Sequence, residues 1–271
     1  MEFLGVLGER LPHTYSPRIN KRIMEIINVN GAYKKFELPK GKMSEFINGV
    51  KTLDIRGFNV TIPYKEEVIP YLDNISLEAG QIGAVNTVVN RNGKLFGYNT
   101  DYFGFKDTLD KNNITVENKI VVILGSGGAS KAIKQVALNN GASHIYIVSR
   151  NPESAKRGSE ASSRISFIDY NELKKIKGDI LVNSTPVGMS PKIGVSPVGK
   201  EIIMNFDSIV DIVYNPTETE FLKLAKEAGK KAVGGLYMLV AQAVKAEEKF
   251  NDVKIDDNVI SIIYKEMISD F

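Results

Sequence analysis

The recurrence of short apolar runs from about residue 118 onward constrains the fold of this chain more than any other feature. The runs are rich in Val and Ile, lack polar alternation and are separated by spacers long enough for a helix. They are KIVVILG, HIYIVSR, RISFID, DILVNST, SIVDIVYN and KKAVGG. Apolar strands with helices between them are typical of a parallel sheet covered on both faces. This half is therefore predicted to form a doubly wound α/β domain.

The first of these runs leads into a glycine-rich turn that indicates a dinucleotide site. In VVILGSGGASKA the strand is followed by Gly125, Ser126, Gly127, Gly128 and Ala129, and then by a helix. Glycines permit a tight turn and the close approach of a pyrophosphate, whose charge the helix amides and dipole stabilise. Ser130 stands where a third glycine is usual, and it is small enough for the helix to pack on the strand. The turn predicts a Rossmann-like nucleotide-binding domain.

The end of the following strand indicates which dinucleotide is bound. NAD sites commonly carry Asp or Glu there, whereas this chain has Ser149, Arg150 and Asn151, with further cations at Lys156 and Arg157. A guanidinium suits a 2′-phosphate, so the sequence predicts NADP(H). The alternative is that Arg150 is only a solvated residue at a strand end.

The first hundred residues predict a mixed-sheet α/β domain. Strands are expected at FLGVLG, YKKFEL, FNVTIP and AVNTVVN, and the Asn-Gly pair in RNGK predicts a hairpin between AVNTVVN and LFGYN. Ser16 is predicted to cap a helix that has Pro17 in its first turn. Two amphipathic helices, LYMLVAQAVKAEEKF and DNVISIIYKEMI, end the chain and are expected to cover the sheet or to return to the first domain.

Four polar clusters follow strands or precede helices in the first domain: HTYSP, NVTIPYK, GAVNT and NTD. Taken singly, each has a simple structural explanation. Ser16 and Asp101 would be helix caps, Asn86 a turn residue and Lys65 an exposed amine. Together they offer hydroxyls, amides, one amine and one carboxylate, which suits a small polyhydroxylated substrate. A Lys and an Asp in a partly desolvated site can share a proton and interconvert a carbonyl and an alcohol without a metal.

Composition excludes several classes of protein. The 35 basic and 32 acidic groups give a net charge of +3, too small to favour nucleic acid or a membrane surface as the main partner. Cysteine is absent, and the only histidines, His13 and His144, are far apart in sequence, so no metal site is expected. We find neither a signal peptide nor a transmembrane run, and expect a cytoplasmic protein with a small-molecule substrate.

The motifs taken together resemble the shikimate dehydrogenase family over the whole chain. The recognisable pieces are HTYSP, GFNVTIPYK, IGAVNTVV, GYNTD, LGSGGASKA, VNSTPVGM, DIVYNPTET and GGLYMLVAQA. The resemblance implies NADPH-dependent reduction of 3-dehydroshikimate to shikimate, on the route to chorismate and the aromatic amino acids. It also implies that Lys65 and Asp101 are the catalytic acid/base pair, with Lys65 in the main proton-transfer role.

The resemblance further implies an architecture and two sets of site residues. A substrate domain of residues 1–101 with 236–271 would be discontinuous, and residues 102–235 would form the NADP-binding domain, with the active site in the cleft between them. The implied substrate site consists of Thr14, Ser16, Asn59, Thr61, Lys65, Asn86, Asp101, Tyr214 and Gln242. The implied cofactor site consists of Gly125, Ser126, Gly127, Gly128, Ala129, Ser149, Arg150, Asn151, Ser154, Thr185, Ile212, Gly235 and Met238, the last near the nicotinamide.

This chain departs from the usual pattern of the family at several positions. Thr14 replaces a commoner serine, and Tyr102 replaces a small residue and would narrow the cleft. Ser149 and Ser154 replace an Asn and a basic residue, so a 2′-phosphate would depend more on Arg150 and on Lys156. Two alternatives stay open: a quinate/shikimate dehydrogenase with broader substrate or cofactor use, and a non-catalytic NADP-binding sensor. A homodimer is also left open.

Overall fold

The computed structural model describes residues 1–12, 14–157 and 162–269 of the chain. It divides the chain into two compact units. Unit 1 consists of Met1–Gly104 and Val240–Met267, and unit 2 consists of Phe105–Leu239 with Ile268–Phe271. Each unit is built on its own six-stranded sheet.

Unit 1 has a mixed sheet with the strand order β2-β1-β3-β5-β6-β4. The strands are β1 (Glu2–Gly8), β2 (Gly31–Glu37), β3 (Gly57–Val60), β4 (Asn74–Ile75), β5 (Thr87–Arg91) and β6 (Lys94–Tyr98). Strands β1, β2 and β3 are parallel to one another, whereas β5 runs antiparallel to both β3 and β6. The hairpin between β5 and β6 brings Thr87 opposite Tyr98. The neighbouring polar residues Asn86 and Asn99 therefore lie at the same end of the sheet.

Helices cover both faces of this sheet. They are α1 (Ser16–Ile26), α2 (Met43–Thr52), α3 (Leu77–Ile82), the start of α4 (Thr100–Lys111), most of α10 (Leu236–Asn251) and α11 (Asn258–Ile268). On one face Leu7 and Phe58 pack with Ile47 of α2. On the other face Leu4 packs with Phe250 of α10. The alternation of β1 between the two clusters follows from the period of two in a strand.

Unit 2 has an entirely parallel sheet with the strand order β12-β11-β10-β7-β8-β9. The strands are β7 (Ile120–Leu124), β8 (His144–Val148), β9 (Ile165–Ile168), β10 (Ile180–Asn183), β11 (Ser208–Asp211) and β12 (Lys231–Val233). The intervening helices are α5 (Gly128–Asn139), α6 (Pro152–Lys156), α7 (Tyr170–Leu173), α8 (Lys200–Ile203) and α9 (Glu220–Glu227). The strand order reverses direction between β7 and β10, where doubly wound folds bind their ligands.

Most of the elements expected from the sequence are present, with two differences. The Asn-Gly hairpin is confirmed, and both Asn92 and Gly93 have positive φ, as a type I′ turn requires. Ser16 is wrong as an N-cap, because α1 begins at Ser16 itself, Tyr15 precedes it and no side-chain cap is formed. The strand expected at FNVTIP ends at Val60, so Thr61 already belongs to the turn that follows.

Candidate active site

Lys65 and Asp101 form an ion pair in unit 1. Lys65 Nζ lies 2.5 Å from Asp101 Oδ2, and the two side chains are only 17% and 13% exposed. At this degree of burial water screens the attraction between the two charges less than at the surface, while the pair stays accessible to a small molecule. An amine and a carboxylate so placed can move a proton to or from a bound ligand.

The turn that carries Lys65 is anchored on both sides. The neighbouring Tyr64 is fully buried, and its hydroxyl donates to the carbonyl oxygen of Leu38. The carbonyl oxygen of Lys65 accepts from Val85 N at 2.7 Å, and Thr61 N donates to Leu7 O at 2.9 Å. These contacts fix the backbone from which the amine extends.

Asp101 is positioned by the start of α4. Asn99 Oδ1 accepts from Tyr102 N at 3.3 Å, which caps the helix, and Asn99 Nδ2 donates to Ala84 O at 2.9 Å. Thr100 N donates to Asn86 Oδ1 at 2.7 Å. Asp101 therefore lies in a first helical turn that the 84–86 segment holds in place.

A buried polar network extends from Asn86 through the sheet. Asn86 Oδ1 accepts from Thr100 N and from Thr87 Oγ1, which directs Asn86 Nδ2 away from them, and Nδ2 has no partner among the described residues. The amide of Asn59 is occupied at both ends, since Oδ1 accepts from Tyr33 Oη at 2.6 Å and Nδ2 donates to Thr87 Oγ1 at 2.9 Å. Asn86 thus keeps a donor for a ligand, whereas Asn59 supports the network.

The remaining candidate substrate residues lie in different parts of the chain. Thr14 Oγ1 and Ser16 Oγ are 3.1 Å apart at the start of α1, and His13 beside them lies outside the described residues. Gln242 Oε1 accepts from Thr100 Oγ1 at 3.4 Å, which connects α10 to the network of Asn86. Tyr214 belongs to unit 2, in the segment after β11.

Unit 1 also contains a buried carboxyl group that the sequence analysis did not single out. Glu247 on α10 has no exposed surface, its Oε2 accepts from Asn251 Nδ2 at 2.8 Å, and its Oε1 has no partner among the described residues. Burial raises the pKa of Glu247 to about 8. Burial, and then the nearby Glu247, raise the pKa of Tyr33 well above its ordinary value.

In unit 2 the glycine-rich turn has the geometry of an anion cradle. Gly125 has φ +102°, and a Cβ there would lie 3.0 Å from both Ser184 Oγ and Thr185 Cγ2, so both the backbone angle and the space favour glycine. Gly127 has open space where a side chain would project, and it precedes the first turn of α5. Ser130 Oγ donates to Gly125 O at 2.8 Å and fastens the helix to the turn. A dinucleotide pyrophosphate fits such a site.

The end of β8 carries an exposed cation. Ser149 Oγ accepts from Asn151 N at 3.2 Å, and Asn151 Oδ1 caps α6 by accepting from Ser154 N at 3.0 Å. Arg150 is exposed and forms no ion pair with any residue that the structure describes. A guanidinium in this position can receive the 2′-phosphate of NADP.

Three further candidate cofactor residues lie near the ends of β10, β11 and β12. Thr185 Oγ1 donates to Asn183 Oδ1 at 2.7 Å, Ile212 N donates to Asn183 O at 3.1 Å, and a Cβ at Gly235 would collide with the carbonyl oxygen of Ile212. Met238 is buried on α10. Asp211, also fully buried, accepts from Asn183, and burial raises its pKa to about 6.

Five buried side chains that support the candidate residues were not predicted from the sequence. These are Tyr33, Thr87, Thr100, Asn183 and Asp211. Thr87 and Thr100 lie in the polar clusters GAVNT and NTD, and Asn183 and Asp211 lie at strand ends, so their positions could have indicated them. Within residues 1–12, 14–157 and 162–269, no group of three His, Asp or Glu side chains could hold a metal ion. None of the described helices is long and apolar enough to cross a membrane.

Comparison with known proteins places this chain in a family. Residues 6–88 match the model of the shikimate dehydrogenase substrate binding domain. The chain is 45% identical to the shikimate dehydrogenase (NADP(+)) of Clostridium beijerinckii over the full length of both. It is 49% identical to the crystal structure of shikimate dehydrogenase 1 from Peptoclostridium difficile, with a TM-score of 0.91 over 99% of this chain and 98% of that one. A shikimate 5-dehydrogenase of Thermus thermophilus, solved with NADP(H) and shikimate, is 30% identical with a TM-score of 0.84 over 98% and 99% of the two chains.

Proposed function

This chain belongs to the shikimate dehydrogenase family, and from that membership we propose that it interconverts 3-dehydroshikimate and shikimate with NADP(H) as cofactor. The observation that carries the proposal is the partly buried polar site around Lys65 and Asp101, whose charged groups are 2.5 Å apart. A non-catalytic sensor would have no need for such a pair.

The chemistry of the site is a proton transfer that accompanies hydride transfer. NADPH, when bound, supplies the hydride that reduces the substrate carbonyl carbon. Lys65 donates a proton from Nζ to the carbonyl oxygen as this oxygen gains negative charge, and it takes the hydroxyl proton back in the reverse direction. Asp101 accepts a hydrogen bond from Nζ and keeps the amine directed at the reacting oxygen.

The other residues of the site bind and orient the two ligands. Asn86 Nδ2, with the hydroxyls of Thr14, Ser16 and Thr61, would contact the hydroxyls and carboxylate of the substrate. The turn that contains Gly125 and Gly127 would hold the pyrophosphate, because the first position favours glycine and space is open at the second. Arg150 would bind the 2′-phosphate.

A direct assay tests the proposed function. Shikimate and NADP⁺ are added to the purified protein and the nicotinamide absorbance is followed. We expect reduction of NADP⁺ with shikimate, and much slower turnover with quinate or with NAD⁺. Absence of turnover with shikimate would refute the proposal, whereas equal rates with quinate would identify a quinate/shikimate dehydrogenase.

Lys65→Ala is the variant that tests the catalytic role. We expect turnover to fall by roughly 10² or more, the usual effect of losing an acid/base group, with a much smaller change in shikimate affinity. The matched control is Lys42→Ala, because Lys42 forms an exposed ion pair with Glu45 at 2.7 Å on the same unit. Steady-state kinetics should leave that control unchanged, and near-normal turnover of Lys65→Ala would remove the residue from the chemistry.

A further inference from the structure

Two buried polar side chains face each other at the carboxyl ends of two strands in the unit 2 sheet. Neither belongs to the proposed substrate or cofactor site. Asn183 ends β10 and Asp211 ends β11, and the two residues are partners in the parallel register of these strands. Neither has any exposed surface. A buried carboxylate with no cation beside it is costly unless donors surround it, so its contacts show what it does.

Every hydrogen bond that the Asp211 carboxylate forms with the described residues comes from a neutral donor. Oδ1 accepts from Asn183 Nδ2 at 3.0 Å and from Val213 N at 3.0 Å, while Oδ2 accepts from Thr219 Oγ1 at 2.7 Å. Thr219 is the N-cap of α9, so one carboxylate connects two strands and a helix. Because an ionised carboxylate can only accept, it requires Asn183 to present its NH₂ group, which fixes the direction of the amide.

The fixed amide of Asn183 then organises the segment after β10. With Nδ2 facing Asp211, Asn183 Oδ1 accepts from both Thr185 N at 3.0 Å and Thr185 Oγ1 at 2.7 Å. Val187 N donates to Thr185 Oγ1 at 3.2 Å and closes the turn. The methyl group of Thr185 is left facing Gly125, where it closes off the space beside the glycine-rich turn.

We propose that Asp211 and Asn183 are positioning residues for the nucleotide site. The carboxylate sets the orientation of the side-chain amide of Asn183, and this amide holds Thr185 where the cofactor is proposed to bind. The main-chain carbonyl of the same residue accepts from Ile212 N. This inference rests on the proposed function, because Thr185 and Ile212 are cofactor residues only if the chain binds NADP(H). Neither positioning residue takes part in the chemistry.

Two single substitutions are expected to differ sharply in their effect on cofactor affinity. Asn183→Asp places a second carboxylate against Asp211 in a buried site, so the dissociation constant for NADP⁺ should rise about tenfold or more. Asp211→Asn should change it by less than about threefold, because the new amide can accept from Asn183 and Val213 with its oxygen and donate to Thr219 with its nitrogen.

The double variant Asn183→Asp/Asp211→Asn tests the pairing itself. The amide introduced at position 211 can donate to the carboxylate introduced at position 183, so NADP⁺ should bind at least about threefold more tightly than to Asn183→Asp alone. If the two substitutions instead damage the structure independently, their effects on NADP⁺ affinity add. The double variant would then bind NADP⁺ no better than Asn183→Asp alone. That result would overturn the proposal.

Shikimate affinity and one further carboxylate serve as controls. Asp179 accepts from Ile120 N at 2.8 Å just before β10, so Asp179→Asn disturbs the opposite end of the same strand and should leave NADP⁺ affinity unchanged. The dissociation constant for shikimate should stay constant in every variant. If Asn183→Asp does not fold, Asn183→Ala should still weaken NADP⁺ binding about tenfold by removing the acceptor of Thr185.

The outcomes separate the two proposals. Failure of the unmodified protein to bind NADP⁺ would refute the proposed function. Normal NADP⁺ binding by the unmodified protein and equally by Asn183→Asp or Asn183→Ala would refute only the positioning role. A parallel loss of shikimate and NADP⁺ affinity in these variants would also refute that role, since it would show general damage to the fold.

Discussion

Lys65 directly follows an anchored aromatic residue. Tyr64 is buried in the core cluster of unit 1 and its hydroxyl is bonded to Leu38 O, so the chain direction at the next residue is fixed before any ligand arrives. A flexible side chain with four methylene groups gains precision only when its backbone is fixed. The sequence stretch NVTIPYK therefore places an anchoring residue directly before the proposed catalytic amine.

Arg150→Ala tests the cofactor preference at the residue scale. A charge-assisted hydrogen bond contributes about 1.5–3 kcal/mol, so the dissociation constant for NADP⁺ should rise roughly 10- to 100-fold, whereas that for NAD⁺ should barely change. Titration calorimetry with both nucleotides measures the two effects. Lys175→Ala removes another exposed cation from unit 2 and should alter neither constant; an equal loss for NAD⁺ in Arg150→Ala would contradict the assignment.

The supporting residues that were not predicted from the sequence all act through buried hydrogen bonds. Tyr33, Asn183 and Asp211 act through buried hydrogen bonds to residues that are distant in sequence, and such pairings depend on strand register. Apolar periodicity predicts that a strand exists and which face it buries, but it does not specify which polar side chain opposes which. Lys65 and Asp101 could be singled out because their motifs are recognisable in the chain itself.

At the scale of elements, α10 contributes to the polar network and to the hydrophobic core, and it carries a buried carboxyl group. It contributes Gln242 to the polar network and Ala246 and Phe250 to the core, and it also buries Glu247. Burial raises the pKa of Glu247 from its ordinary value of 4.5 to about 8. The folded protein therefore keeps this proton up to about pH 8, while the unfolded chain loses it near pH 4.5.

Glu247→Gln should flatten the dependence of stability on pH. Unfolding of the original protein releases a proton between these two pKa values, so its stability is highest at the acidic end of this window and falls as the pH rises to about 8. The neutral, isosteric variant lacks this loss and should be the more stable by a few kcal/mol, to order of magnitude, above the upper pKa. Denaturant unfolding at a series of pH values measures the difference.

The control for that comparison is Glu227→Gln, which removes an exposed carboxylate 3.6 Å from Lys200. Its stability should follow that of the original protein within roughly 0.5 kcal/mol at every pH. Identical pH profiles for Glu247→Gln and the original protein would show that Glu247 does not hold a proton in the folded state.

Elements with a strong local signal were predictable and short ones were not. The β5–β6 hairpin follows from Asn92-Gly93 between two apolar runs, and the parallel strands of unit 2 follow from their unbroken Val and Ile content. β4 has only two residues, too few for any periodicity, so nothing in its sequence reveals it. Ser16 shows the limit at helix ends, where capping depends on backbone angles one residue away.

At the scale of the whole molecule, the predicted mixed and doubly wound α/β architecture is confirmed. The reason is that few chain topologies are possible for a parallel sheet once its strands and crossover helices are known. The proposed substrate and cofactor residues are carried mostly by different units, with Tyr214 as an exception. The sequence could assign each proposed residue to a segment of the chain, but it could not specify the distances between the residues.

Hydrogen exchange with each ligand added alone tests this division. Shikimate should slow exchange mainly in unit 1, in the segments around residues 57–65 and 84–101, while NADP⁺ should slow it mainly in unit 2, around residues 124–130 and 183–187. A ligand at 100 times its dissociation constant stabilises the state it binds by about 2.7 kcal/mol, which is enough to detect. Protection of the same peptides by either ligand alone would contradict the assignment.

The division of the chain also sets an order of events during synthesis. Unit 1 begins at the N-terminus, but it also includes the late segment Val240–Met267. Phe250 of this segment belongs to the core of unit 1 and packs where a side chain at Gly57 would otherwise lie. At about 5–20 residues per second, a ribosome adds Phe250 roughly 7–30 s after it completes residue 104. The part of the first sheet that Ala246 and Phe250 cover therefore stays exposed while unit 2 is synthesised. A nascent chain in this state has the surface that chaperones recognise, and the later-encoded unit can finish folding before the earlier one.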